Sequence, residues 1–235
     1  MNNEFVLFGC DSYRTRAYID LLLREKLKPS GFIFVNLDNL PQDSSKKSLF
    51  FDNVTPANVK AKENDVEVIT VDVADINAKK IVDVLDKRKE SLVIFSGPPA
   101  AMVKAPLFNT KKQFLHIHPG KLPDFKGSTT IYYTLLQGQK ITATALLLNE
   151  HIDSGAIVDQ MEFALPDDKS EIDFIFDPYI RAQLLVKVLK KYKSVGKLSA
   201  REQPKNVNKC YYVIHPVLKH IAILSKNYER YTANN

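Results

Sequence analysis

Apolar residues in this chain come in short blocks separated by polar, turn-forming stretches, and the blocks alternate between strand and helix periods. Glu4 to Gly9 (EFVLFG) is a continuous apolar run of strand length that opens into Gly9-Cys10-Asp11-Ser12. From about Tyr13 to Lys26, the positions of Tyr18, Leu21, Leu22 and Leu23 predict a helix, which Pro29-Ser30-Gly31 breaks. Phe32 to Asn36 reads as a second strand, and the polar stretch Leu37 to Asn58 predicts a mobile surface loop. Val66 to Val71 is a third strand, Ile76 to Lys89 a helix, and Leu92 to Phe95 a fourth strand. A strand ending at His118, a helix near Thr129 to Gln137 and a strand Thr142 to Asn149 follow. A turn holding Asp153-Ser154-Gly155 then leads to a strand Ala156 to Phe163 and a helix from about Ile172 to Tyr192. Ser194 to Asn208 is polar and linker-like, and Tyr211 to Ser225 is a small apolar appendage.

Strands alternating with helices at this spacing predict an α/β fold, an open and mostly parallel Rossmann-like sheet with helices on both faces. Residues 1–193 would form that domain, and 194–235 a linker with a short C-terminal extension. Ligands of such sheets sit at the carboxyl ends of the strands. Three loops therefore become candidates for the site: Gly9 to Tyr13, Ser96 to Met102 and His118 to Ser128.

Composition narrows the classes. Hydrophobic residues make up 45% and charged residues 26% of 235, so a sizeable core can form. Glu4 stands where a secretory leader would carry basic residues, and no apolar stretch nears the ~20 residues of a membrane helix. A cytoplasmic protein without a membrane partner is expected. Only Cys10 and Cys210 are present, so neither a disulfide framework nor a C-x-x-C metal site is legible. The net charge of +6 collects around Lys104 to Lys126 and Lys187 to Lys205. The second group reads as a solvated helix face; the first also suits an anionic ligand. No nucleic-acid recognition motif accompanies the charge.

The chemistry concentrates in Phe114 to Gly127 (FLHIHPGKLPDFKG). Period-two spacing puts His116 and His118 on one face of a strand that Pro119-Gly120 terminates. Three uses are open to the pair: non-metal catalysis, ordinary hydrogen bonding in a core strand, or metal ligation in a hydrolase. Asp153 sits in HIDSGAI, where a turn aspartate is usually structural. Beside His118 it would raise and orient that imidazole as an acid. Gly9-Cys10-Asp11-Ser12 lacks G-x-G-x-x-G, so a strand-to-helix turn capped by Asp11 or Ser12 is expected rather than a dinucleotide cradle.

The run HIHPGKLPDFKGS, followed at Asp153 by IDSGAIV, resembles the folate-dependent formyltransferases. That family includes glycinamide ribonucleotide transformylase, methionyl-tRNA formyltransferase and the sugar N-formyltransferases. The resemblance implies that His118 and Asp153 match the catalytic histidine and aspartate. His116 stands where the family carries an asparagine that donates to the formyl oxygen, and an imidazole N–H can take that role.

The implied reaction moves a formyl group from 10-formyltetrahydrofolate, the co-substrate, to a primary amine, with no metal. The resemblance places the folate against Ser96, Gly97, Pro98, Pro99, Ala100, Ala101 and Met102, and against Asn149, Glu150, His151 and Ile152. It places the acceptor against Gly9, Cys10, Asp11 and Ser12 on one side. On the other stand Lys121, Lys126, Ser128, Thr129 and Thr130, with Tyr132 and Tyr133 nearby. The short stretch after the last long helix argues against a tRNA acceptor, and P-G-K-L-P-D-F-K-G looks more like the sugar branch. A small phosphate- or nucleotide-bearing amine is expected, a nucleotide-linked aminosugar above all, with a glycinamide ribonucleotide-type transformylase as the alternative. A metal-dependent hydrolase or a non-catalytic folate- or nucleotide-binding protein remain the rival classes. Tyr211 to Ser225 could pack on its own domain or on a second subunit, which leaves a homodimer open.

Overall fold

A computed structural model describes residues 4–36, 46–204 and 209–225. The first half is a series of β–α units: β1 (Phe5–Gly9), α1 (Tyr13–Arg24), β2 (Gly31–Asn36), α2 (Ala57–Glu63), β3 (Val68–Asp72), α3 (Lys79–Lys87), β4 (Leu92–Ser96), α4 (Ala105–Phe108) and β5 (Gln113–His118). The second half adds β6 (Lys126–Gly127), α5 (Thr130–Leu136), β7 (Ile141–Leu147) and β8 (Ile157–Phe163). A π-helical turn (Ile172–Phe176), α6 (Asp177–Val195), β9 (Cys210–Tyr211) and α7 (Pro216–Leu224) complete it.

The main sheet has the order β3-β2-β1-β4-β5-β7-β8. β3 to β5 run parallel, β7 is antiparallel to β5, and β8 is antiparallel to β7. Connections leave β1 towards β3 on one side and β4 towards β5 on the other. The strand order therefore reverses between β1 and β4, and their loops frame the crevice where such sheets bind ligands.

Strand alternation builds the two core layers. Phe5 and Leu7 face a layer that includes Ala17 and Leu21 of α1 and Leu184 and Leu185 of α6. Val6 and Phe8 face the other layer, which includes Ile81 and Leu85 of α3 and Leu107 of α4. β1 and β4 are buried along their whole lengths, as continuous apolar runs covered on both faces should be. Each such Leu or Phe stabilises the fold by about 1.5–3 kcal/mol through burial. Helices lie on both faces of the sheet, as the alternation predicts.

One region differs from expectation, and in another the structure selects between open alternatives. The expected surface loop Leu37 to Asn58 lies outside the described residues from 37 to 45. From 46 on it is anchored, with Phe51 buried and the Asn53 side chain bonded to the backbone of Lys46 and Ser48. It then enters α2, which hydrophobic periodicity does not reveal because its buried face is only Ala57 and Ala61. The C-terminal appendage packs on its own domain. Arg201 pairs with Ile157, β9 pairs with β6, and α7 packs on α5 and buries Ala222. No helix among the described residues is long and apolar enough to cross a membrane.

Candidate active site

β5 carries the two histidines to the carboxyl end of the central sheet, and the surroundings treat them differently. His118 is buried, with Nδ1 lying 3.3 Å from Asp153 Oδ2 and Nε2 2.6 Å from the Phe125 carbonyl oxygen. The carbonyl can only accept, so Nε2 carries a proton, while the Asp153 carboxylate lies against Nδ1. Nε2, committed to that carbonyl, has no lone pair for a metal.

Asp153 reaches His118 by a fold-back of the chain. Leu148 N–H bonds to Phe114 O, so β7 ends beside the start of β5, and the following turn must curl back over that strand. The turn is tight: Asp153 adopts φ 46°, and a Cβ on Gly155 would stand 1.7 Å from Leu147 O. Asp153 Oδ2 also accepts from Gly127 N–H at 2.8 Å, which fixes the carboxylate between β6 and the histidine. Gly127 is required twice over. Its φ is 99°, and any Cβ would meet Tyr211 O at 2.1 Å across the β6–β9 pair.

His116 faces a cationic half. Its Nδ1 lies 3.2 Å from Phe95 O, and since the carbonyl accepts, Nδ1 carries the proton. Arg14 donates from Nε to Ser96 Oγ at 3.0 Å and from Nη2 to Gly97 O. Arg181 donates to Ile117 O at 3.1 Å and grips Asp177 with both Nε and Nη2. Burial, reinforced by the Arg14 and Arg181 charges, holds the His116 ring well below the usual histidine range. It is therefore neutral at neutral pH, with a lone pair on Nε2. Its single proton points to Phe95 O, so the donation to a formyl oxygen that the resemblance implies would require that contact to break.

Other expected contact residues divide into those that face the crevice and those the fold uses for itself. Ser12 caps α1 by accepting from Thr15 N–H, as anticipated for a strand-to-helix turn. Asp11 is engaged by Arg16 at 2.6 Å and by Ala57 N–H, so its carboxylate is spent on structure rather than on an acceptor. Cys10 is fully buried, and burial pushes its thiol up to about 11. Gly9 approaches β4 so closely that a Cβ would lie 2.5 Å from Ser96 O. Ser96 is buried against Thr15 Oγ1 and Arg14, again a bracing role in place of the expected folate contact. Gly97 is buried, with its carbonyl taken by Arg14, whereas Pro99, Ala100 and Met102 are exposed and Pro98 and Ala101 half-buried.

Asn149, Glu150, His151 and Ile152 are exposed on the turn before Asp153. Lys121 and Ser128 are exposed as well. Lys126 is buried and donates to Ser154 Oγ, Thr130 to Pro119 O, and Thr129 Oγ1 accepts from Ile214 N–H. Tyr132 is buried and donates to Asp173. These four side chains hold the loop in place.

Several site residues carried no sequence signal. Arg14 and Arg181 lie on helices where polar residues read as solvent-facing, and Tyr18 reads only as an apolar helix position. Tyr18 stands one turn after Arg14, and its buried hydroxyl has no partner among the described residues. Gln203, in the expected linker, donates to both Asp153 O and Gly155 O and so clamps the aspartate turn. No group of three or more His, Cys, Asp or Glu residues suited to a metal occurs among the described residues.

A family model described as formyl transferase matches residues 46–173. The chain is 25% identical over 230 residues to the methionyl-tRNA formyltransferase of Finegoldia magna, spanning 97% of this chain and 71% of that protein. In fold it resembles a sugar N-formyltransferase from a Shewanella species, at a TM-score of 0.60 and 17% identity over 94% of this chain and 87% of the other. It also resembles an N-formyltransferase from Helicobacter canadensis, solved with folinic acid and dTDP-3-aminofucose. The TM-score there is 0.60, at 18% identity over 89% and 70% of the two chains.

Proposed function

Because the chain belongs to the formyl transferase family of enzymes, we propose that it moves a formyl group from 10-formyltetrahydrofolate to the primary amine of a small anionic acceptor, a nucleotide-linked aminosugar. The observation that carries the acceptor class is Arg14. Among the described residues, its guanidinium at the β1/β4 crevice has a hydroxyl and a backbone carbonyl as partners and no carboxylate, whereas Arg181 beside it is neutralised by Asp177. An unneutralised guanidinium at a ligand crevice favours a phosphate or carboxylate. The dTDP-aminosugar bound by the Helicobacter protein has that character.

The residues at hand fit a flat heteroaromatic co-substrate. Ala100 to Met102 and Asn149 to Ile152 leave exposed backbone and the exposed side chains of Met102 and Ile152 to hold it. 10-Formyltetrahydrofolate supplies the formyl carbon, bonded to a nitrogen that can leave. His118 stabilises the charge that grows on the formyl oxygen, because an oxyanion outcompetes the neutral Phe125 carbonyl for the Nε2 proton. Asp153 lies against Nδ1 and aims the ring, and Gly127 N–H holds Asp153.

Release of tetrahydrofolate, followed over a panel of acceptors, tests the reading. Turnover is expected with nucleotide-linked aminosugars. Methionyl-tRNA is the second reading, favoured by the Finegoldia relative, and turnover with it alone would replace the sugar acceptor. No turnover with any acceptor, glycinamide ribonucleotide included, together with no folate binding by calorimetry, would overturn the assignment.

A further inference from the structure

We propose that His116 is the proton shuttle of the reaction, taking a proton from the attacking amine at Nε2 and returning it to the nitrogen that the formyl group leaves. The proposal rests on the formyl-transfer reading given above. It stands on the tautomer that the fold imposes. Nδ1 donates to Phe95 O, so the lone pair is on Nε2. Nε2 has no partner among the described residues, and the side chain is half-buried rather than sealed in the core. His118, by contrast, has Nε2 committed to the Phe125 carbonyl and Nδ1 set against the Asp153 carboxylate.

The step balances within the chain. The amine's electron pair forms the new C–N bond, and the amine proton passes to His116 Nε2. The bond between the formyl carbon and the donor nitrogen then breaks, with its electron pair staying on that nitrogen. His116 delivers its Nε2 proton there and returns to the neutral Nδ1–H form. One proton is borrowed and given back, so no outside acid or base is consumed.

The charged groups around the ring suit the return step. Arg14 from α1, Arg181 from α6 and His118 on the same strand disfavour the imidazolium. A destabilised imidazolium is a strong acid towards a leaving amine nitrogen. The attacking nitrogen, once bonded to the formyl carbon, is far more acidic than an ordinary ammonium and gives its proton to a weak base.

His116→Asn discriminates between roles, because an asparagine amide can donate a hydrogen bond but cannot carry a proton. A shuttle requires His116→Asn and His116→Ala to lose turnover alike, by about 100-fold or more, with folate binding unchanged by calorimetry. Turnover retained in His116→Asn would overturn the proposal and restore the donor role. Nitrogen-15 NMR of the free enzyme gives a readout independent of turnover. His116 should show a protonated Nδ1 and a bare Nε2 at neutral pH; a protonated Nε2 would overturn the proposal. Should the wild-type chain transfer no formyl group while the NMR shows the Nδ1–H form, the formyl-transfer reading fails and the shuttle falls with it.

Discussion

The two halves of the crevice are built on opposite principles. On the His118 side almost every polar atom is tied: imidazole to Asp153 and Phe125, Asp153 to Gly127, and the turn beneath it to Gln203. On the His116 side, among the described residues, polar groups are left with capacity to spare: an imidazole lone pair, a guanidinium on Arg14 without a carboxylate and the unpaired hydroxyl of Tyr18. A closed network fixes the orientation of a charged group but has little left for a ligand. An open one is costly to bury and is kept where a ligand completes it. On the proposed reading, the closed half aims the chemistry and the open half receives the substrate.

The largest test of this contrast is in the closed half. His118→Ala and Asp153→Asn are each expected to lower turnover by about 100- to 10,000-fold while leaving acceptor KM within a few-fold. A KM effect with little change in kcat would reverse the assignment of the halves. Next in size, Arg14→Gln should raise the KM for an anionic acceptor by about 10- to 100-fold, the worth of a charge-assisted hydrogen bond. Its effect on an uncharged amine should be small, and steady-state kinetics on such a pair of acceptors reads the difference.

Gln203→Ala removes the donor to two carbonyls of the aspartate turn. It is expected to cost about 1–3 kcal/mol of stability by thermal or denaturant unfolding, with a smaller fall in turnover as Asp153 loosens. The smallest effect is on pH. The folded state holds His116 below its ordinary value of about 6.5, so the unfolded chain binds more protons at lower pH. That contribution is complete above about pH 6.5 and is lost as pH falls towards the folded value. His116→Gln should flatten that part of a stability–pH profile, and an unchanged slope would place the titration elsewhere.

Much of the fold was legible because its signals are local. Apolar runs such as EFVLFG and LVIF mark buried strands, and Pro29-Ser30-Gly31 and Pro119-Gly120 mark their interruptions. α2 was missed because alanines bury its face, and the order within the anchored segment 46–56 depends on partners far along the chain, such as Arg16. In the site, His118 and Asp153 were readable as a spaced pair. Asp11, Thr129 and Thr130 were assigned to a ligand because nothing local announces Arg16, Ile214 or Pro119 as their partners.

The sequence by itself determined the alternating architecture, the histidine strand and the distant aspartate, since each follows from periodicity or from a contiguous motif. Only the tertiary structure decided what each histidine can do. A carbonyl from a neighbouring strand selects the tautomer of His116, and helices more than sixty residues away in either direction bring the guanidiniums that keep it neutral. Protonation depends on charges and acceptors within a few ångströms, and chain order does not say which residues those will be.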